Sequence, residues 1–162
     1  MNSSEKRPES ASGCLAEYLQ EHREAIISEW VAQVRKDSDV PTDSLTKPEI
    51  VDHVPQIFDA TVQALRQQRS DAATEEVQRI STTHTIIRWA QDYDLQGMLR
   101  EISLLRAELI RHLRAFEEEQ RSLGSDAHLH TSTTIHIILD DIVLDATEAF
   151  LRLKAQAGGD DA

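Results

Sequence analysis

The sequence predicts an all-α domain, either a five-helix bundle or a globin-like helical domain. Three observations carry that prediction. Apolar residues recur at spacings of three and four over five long stretches, the period of one helical face. The 162 residues include only five glycines and four prolines, too few for the many tight turns of an all-β fold. With 40% hydrophobic and 28% charged residues, a chain of this length can bury one core and has little room for a second.

Residues 1–12 are rich in Ser, Glu, Lys and Pro and read as a disordered leader. The helical domain is expected over 13–156. Its first helix, at about 14–36, carries Leu15, Tyr18, Leu19, His22, Ile26, Trp30 and Val34 on one face. Pro41 lies in the break that follows. The second helix, at about 47–67, has a capping box in Thr46 and Glu49, with Leu45 and Ile50 as the matching hydrophobic staple. Pro48 suits the first turn, whereas Pro55 is expected to kink the helix from inside. The third helix, at about 72–91, places Val77, Ile80, His84 and Ile87 on one face, with Arg88 at its edge.

The fourth helix, at about 95–121, starts with Asp94 as cap and Tyr93 stapling to Met98. Its face runs through Leu95, Leu99, Ile102, Leu105, Leu109, Leu113 and Phe116. A loop around Gly124 is expected over 122–129. The fifth helix, at about 131–156, carries Ile135, Ile138, Leu139, Ile142, Val143, Ala146, Phe150 and Leu153. Residues 157–162 read as a flexible tail in which Gly158 and Gly159 end the helix.

A formal net charge of -12 argues against nucleic acid and anionic membranes as partners. Cys14 is the only cysteine, which excludes an intramolecular disulfide and any cysteine-based metal site. No apolar run reaches the roughly 20 residues of a membrane span. The first twelve residues lack the apolar stretch of a secretory signal. A cytoplasmic location is therefore expected.

Enzyme signatures are missing. There is no glycine-rich phosphate loop and no Gly-x-Ser-x-Gly elbow. None of the seven histidines follows a Glu by three residues, as di-iron bundles require. His128, His130 and His136 lack a matching carboxylate pattern and read as loop histidines and a helical neighbour, with no metal site. No catalytic constellation is visible, so a non-enzymatic role is expected.

The chemistry that stands out is interior. His84 and Arg88 fall on or beside an apolar face. Arg106, eleven residues after Leu95, is expected near the centre of the next helix's apolar face. Three polar groups inside a core must be satisfied there. Three readings follow: a buried hydrogen-bond cluster that sets helix packing, the polar end of a small ligand pocket, or His84 as an axial haem ligand. In the haem reading, His22 and His53 are the histidines available for the second side. Trp30 reads as core. Trp89 points away from the face of Val77 and Ile87, towards another helix or an interface.

The fifth helix also carries a second ridge, Ile137, Leu144 and Leu151, spaced by sevens. A helix that buries one face in its own bundle needs a partner for an opposite stripe. The ridge therefore reads as the interface of a homodimer. The alternative is a fifth helix wholly surrounded by its own neighbours.

The stretch H-T-I-I-R-W-A-Q-D-Y-D-L-Q-G-M-L-R-E-I-S-L-L-R, from His84 to Arg106, resembles a motif of the N-terminal domain of RsbT co-antagonist (RsbR/RsbRD-type stressosome) proteins, also found before some bacterial histidine kinases. The matching positions are His84, Arg88, Tyr93, Leu95, Leu99, Arg100, Glu101, Leu104, Leu105 and Arg106. A-I-I-S-E-W ending at Trp30 and K-P-E-I-V-D-H-V-P from Lys47 to Pro55 also resemble the family. The resemblance covers about 15–155. It implies a sensory or regulatory helical domain, globin-like without haem in some relatives, that usually dimerises. It brings no common ligand and no catalytic residues. Gly97 departs from the family, where an acidic residue is frequent. Relatives usually continue into an anti-sigma-antagonist or kinase domain, whereas this chain stops at Ala162.

The combined expectation is a dimeric, haem-free signal-input domain acting through protein–protein contacts on a downstream component, such as a kinase or an anti-sigma-antagonist protein. The alternatives are a haem-binding globin-like sensor using His84 and a structural adaptor without ligand.

Overall fold

The computed structural model describes residues 10–159. Seven helices occur among them: α1 (Ala11–Glu21), α2 (Arg23–Val34), α3 (Lys47–Val51), α4 (Val54–Arg66), α5 (Asp71–Ala90), α6 (Leu95–Glu119) and α7 (Ser125–Gly159). No strand occurs among the described residues, so the fold is an all-α helical bundle. Residues 1–9 of the expected leader and 160–162 of the expected tail lie outside the described residues. Ala11 and Ser12 already belong to α1, and α7 runs to Gly159.

Seven helices stand where five were expected because two of the five are broken. The first breaks at His22, whose ring Nδ1 lies 2.8 Å from the Tyr18 carbonyl of its own last turn. The second breaks at Asp52–His53, so Pro55 does not kink a continuous helix. It occupies the first turn of α4, where its missing N–H is an orphan in any case. The fifth begins earlier than expected, at Ser125, which places His128 and His130 on a helix and not in a loop.

Local start signals behave as the residue types dictate. The Asp94 carboxylate accepts from Gly97 N–H at 2.7 Å, and the Ser70 hydroxyl accepts from Ala73 N–H at 3.3 Å. At α3 Thr46 and Glu49 form the expected capping box. The Glu49 carboxylate accepts both the N–H and the hydroxyl of Thr46, at 2.7 and 2.6 Å.

The helix α7 lies against α1, α4, α5 and α6, and its inner face carries Ile135, Ile138, Leu139, Ile142, Ala146 and Phe150, all buried. Trp30, Phe58, Met98, Leu109 and Phe116 fill the space around it. The buried face of α5 keeps Val77, His84 and Arg88 of the expected face but is rotated towards Ser81 and Thr85. Val77, Ser81, His84, Thr85 and Arg88 point inward, while Ile80 and Ile87 are half-buried and Ile86 is exposed. Ser81 and Thr85 satisfy their hydroxyls by donating to the carbonyls of Val77 and Ser81, at 2.8 and 2.9 Å. Among the described residues, no helix is long and apolar enough to cross a membrane.

Candidate functional site

The inward face of α5 brings His84 and Arg88 against α6, and both are 1% exposed. Their partner is Glu101, equally buried. Arg88 Nε donates to Glu101 Oε2 at 2.8 Å and Nη2 to Oε1 at 2.5 Å, a bidentate pair. Its remaining N–H groups donate to the carbonyls of Glu49 (3.0 Å) and Ile50 (2.7 Å) and to Gln91 Oε1 (2.7 Å). The two carbonyls belong to the last turn of α3, where the helix itself leaves them unpaired. Arg88 therefore ties three helices together.

His84 Nε2 stands 3.5 Å from Glu101 Oε2, and its Nδ1 is buried without a partner. Trp30 on α2 donates from Nε1 to the Glu101 carbonyl at 3.2 Å. Tyr93 lies under the guanidinium, 5.1 Å from Arg88 Cζ to the ring centre, and its buried hydroxyl also lacks a partner. Burial alone would push the Glu101 carboxyl up. The hydrogen bond and charge of His84 and the Arg88 guanidinium outweigh it and hold that carboxyl below its ordinary range. Burial, then the neighbouring Glu101 charge, pushes the Tyr93 phenol above its ordinary value.

Arg106 does not join this cluster, which corrects the expectation. It is half-buried, donates from Nη1 to Asp140 at 2.7 Å, and brings Nη2 within 3.2 Å of His136 Nδ1. Arg106 does share the bearing of Leu95, but Leu95 is itself half-buried at the face's edge. The centre of the buried face runs through Met98, Glu101, Leu105 and Leu109. Glu101 was the residue to single out: an acidic side chain at core register, one helix away from an Arg at core register. The histidines named for haem have other neighbours. His22 stacks on Tyr18 at 4.1 Å, and His53 lies 3.2 Å from Asp52.

Tyr93 has a second side. With Trp89, Asp92, Leu95, Phe150 and Lys154 it lines a surface groove of about 570 Å³ between the α5–α6 corner and the C-terminal half of α7. Trp89 meets Phe150 edge-on at 5.0 Å, so it covers another helix. On the outer side of α7, Ile137, Leu144 and Leu151 are 36%, 65% and 52% exposed. The ridge is thus open to solvent, not enclosed by the chain's own helices.

These features define an all-α domain with a buried ion-pair cluster, a neighbouring groove and an open apolar ridge. The chain belongs to the family of the RsbT co-antagonist protein rsbRD N-terminal domain, whose model matches residues 24–162. It is therefore a stressosome-type signalling input domain. The matched stretch leaves out all of α1, begins within the first turn of α2 and reaches the C-terminus, somewhat later at both ends than the resemblance of about 15–155. No curated protein and no solved structure matches the chain.

Proposed function

We propose that this input domain is haem-free and acts by protein–protein contact, as a homodimer joined along the Ile137–Leu144–Leu151 ridge. The observation that carries the reading is the placement of α7. Its inner face is core, its outer face is the exposed ridge, and Phe150 and Lys154 on the same helix line the groove at Tyr93. Occupation of the groove moves Tyr93, which lies under Arg88. Repacking of Arg88 and Glu101 shifts α5 and α6 against α7, and small helix shifts at a subunit interface are a known switching device. The altered surface is then read by a downstream component such as a kinase or an anti-sigma-antagonist protein.

A second copy is the natural occupant of the ridge, because a stripe on one helix is self-complementary about a two-fold axis. The contact is weak. The ridge is apolar at one position per heptad, and Asp141 and Glu148 lie on the same stripe. The haem-free reading rests on His84, whose Nε2 is turned to the Glu101 carboxylate.

Light scattering coupled to size exclusion, with absorbance recorded across the peak, tests both parts. The expected result is a colourless peak whose mass rises from one chain towards two with loading concentration. A Soret band lost in His84→Ala would overturn the haem-free reading. A single-chain mass at every concentration would remove the homodimer.

A further inference from the structure

We infer that Glu29, Glu108 and His112 form a binding site for a divalent transition-metal ion of the zinc class, with the Arg111 guanidinium as a competing internal cation. This goes beyond the signalling reading and does not depend on it. Glu29 lies on α2, and Glu108 and His112 lie one turn apart on α6. One ligand atom from each falls within 4.8 Å of the other two. His112 Nε2 stands 3.9 Å from Glu29 Oε2.

The two α6 residues are buried and the third is half-exposed. Glu108 is 2% and His112 7% exposed, whereas the Glu29 side chain is 48% exposed. Gln33, one turn after Glu29, donates its amide to Glu108 Oε1, which orients the carboxylate and turns Oε2 to the centre. His112 Nε2 faces Arg111 Nη2 at 3.3 Å, so it presents a lone pair to the same centre. Its Nδ1 is buried without a partner. One imidazole nitrogen and two carboxylate oxygens, with water in the fourth place, make a zinc-type ligand set.

Arg111 sits where the ion would go. It donates to Glu108 Oε2 at 2.6 and 3.1 Å and also pairs with Glu29. Its side chain is 54% exposed, so it can swing outward without disturbing the core. The guanidinium and an ion would thus compete for the same three acceptors, Glu29, Glu108 and His112 Nε2. Ligands at about 2.1 Å from a tetrahedral ion stand roughly 3.4 Å apart, which modest rotation of Glu29 achieves.

The test is a titration of the full chain, stripped with chelator, against Zn²⁺ in competition with a chromogenic chelator. One ion per chain is expected. Glu29→Gln and His112→Asn should each weaken binding by about tenfold or more, and Arg111→Ala should tighten it severalfold. Circular dichroism establishes that each variant is folded. Glu29→Gln, at a half-exposed position, keeps the test decisive if His112→Asn does not fold. The absence of saturable binding overturns the site. So does one-to-one binding that neither Glu29→Gln nor His112→Asn weakens, since the ion is then held elsewhere. Unchanged affinity in Arg111→Ala overturns the competing role of the guanidinium.

Discussion

Arg88 donates two hydrogen bonds to Glu101, two to the carbonyls of α3 and one to Gln91, which uses all five of its N–H groups. Arg88→Met keeps much of the volume but strands the Glu101 carboxylate and two carbonyls. It should cost about 3–5 kcal/mol in urea unfolding. The double variant with Glu101→Met should recover much of that loss, because no buried charge is then left unpaired. Glu101 also governs acid stability. Its folded carboxyl titrates below its unfolded value, so its contribution is complete above about pH 4.3 and is lost as pH falls through the folded value. Glu101→Gln should therefore flatten the acid limb of a urea-midpoint-against-pH profile. Equal acid limbs in the two proteins would show that other carboxylates dominate. At this scale the sequence reveals His84 and Arg88, since each breaks an otherwise apolar face. It conceals Glu101, because one acidic residue in a leucine-rich stretch looks like surface until the neighbouring helix supplies its arginine. It misplaces Arg106, because Leu95, the residue used to orient that face, lies at its edge.

Helix boundaries follow the same division between local and non-local causes. Asp94 and Ser70 act as caps through bonds to residues three positions on, so the sequence alone discloses them. The break before Pro55 has a non-local partner. Proline removes one N–H and crowds the carbonyl four residues back. That carbonyl is Val51's; the break at Asp52–His53 also leaves the carbonyls of Glu49 and Ile50 without helical partners, and Arg88, from a different helix, takes them. The break at His22 has no Gly or Pro to mark it. Gly97 is also explained only by packing. A Cβ there would stand 2.8 Å from Pro41 Cδ, 3.1 Å from Asp94 Oδ1 and 3.3 Å from the Asp39 carbonyl. The loop between α2 and α3 lies directly on the first turn of α6, and only glycine permits the approach. Gly97→Ala should thus lower stability by about 1–3 kcal/mol, although alanine is the better helix former. Gly158→Ala, with nothing within 4 Å, should be neutral or slightly stabilising. Equal melting temperatures for the two variants would mean the loop yields freely.

At the scale of the molecule, the net charge of -12 sets the terms on which two copies meet. The outer stripe of α7 alternates apolar and acidic residues: Ile137, Asp141, Leu144, Glu148, Leu151. Arg69 neutralises Asp141 at 2.9 Å, and Arg152 neutralises Glu148 at 2.7 Å. Asp145, beside the stripe, has its carboxyl pushed up by partial burial and by the charges of Asp141 and Glu148. Seven-residue spacing makes the ridge visible in sequence, but its exposure depends on which side of α7 the other helices cover. Two such surfaces attract through their apolar residues and repel through the charge around them. Salt screens the second effect and leaves the first: the Debye length falls from about 30 Å at 0.01 M to about 8 Å at 0.15 M. Self-association measured by sedimentation equilibrium should therefore tighten over that range. Leu144→Glu removes the central apolar residue and adds a further charge, so it should be a single chain at both salt concentrations, with its melting temperature nearly unchanged because the side chain is exposed. Association that weakens with salt would mean that ion pairs between the copies hold the dimer. Undiminished association of Leu144→Glu would place the contact on another face of the domain.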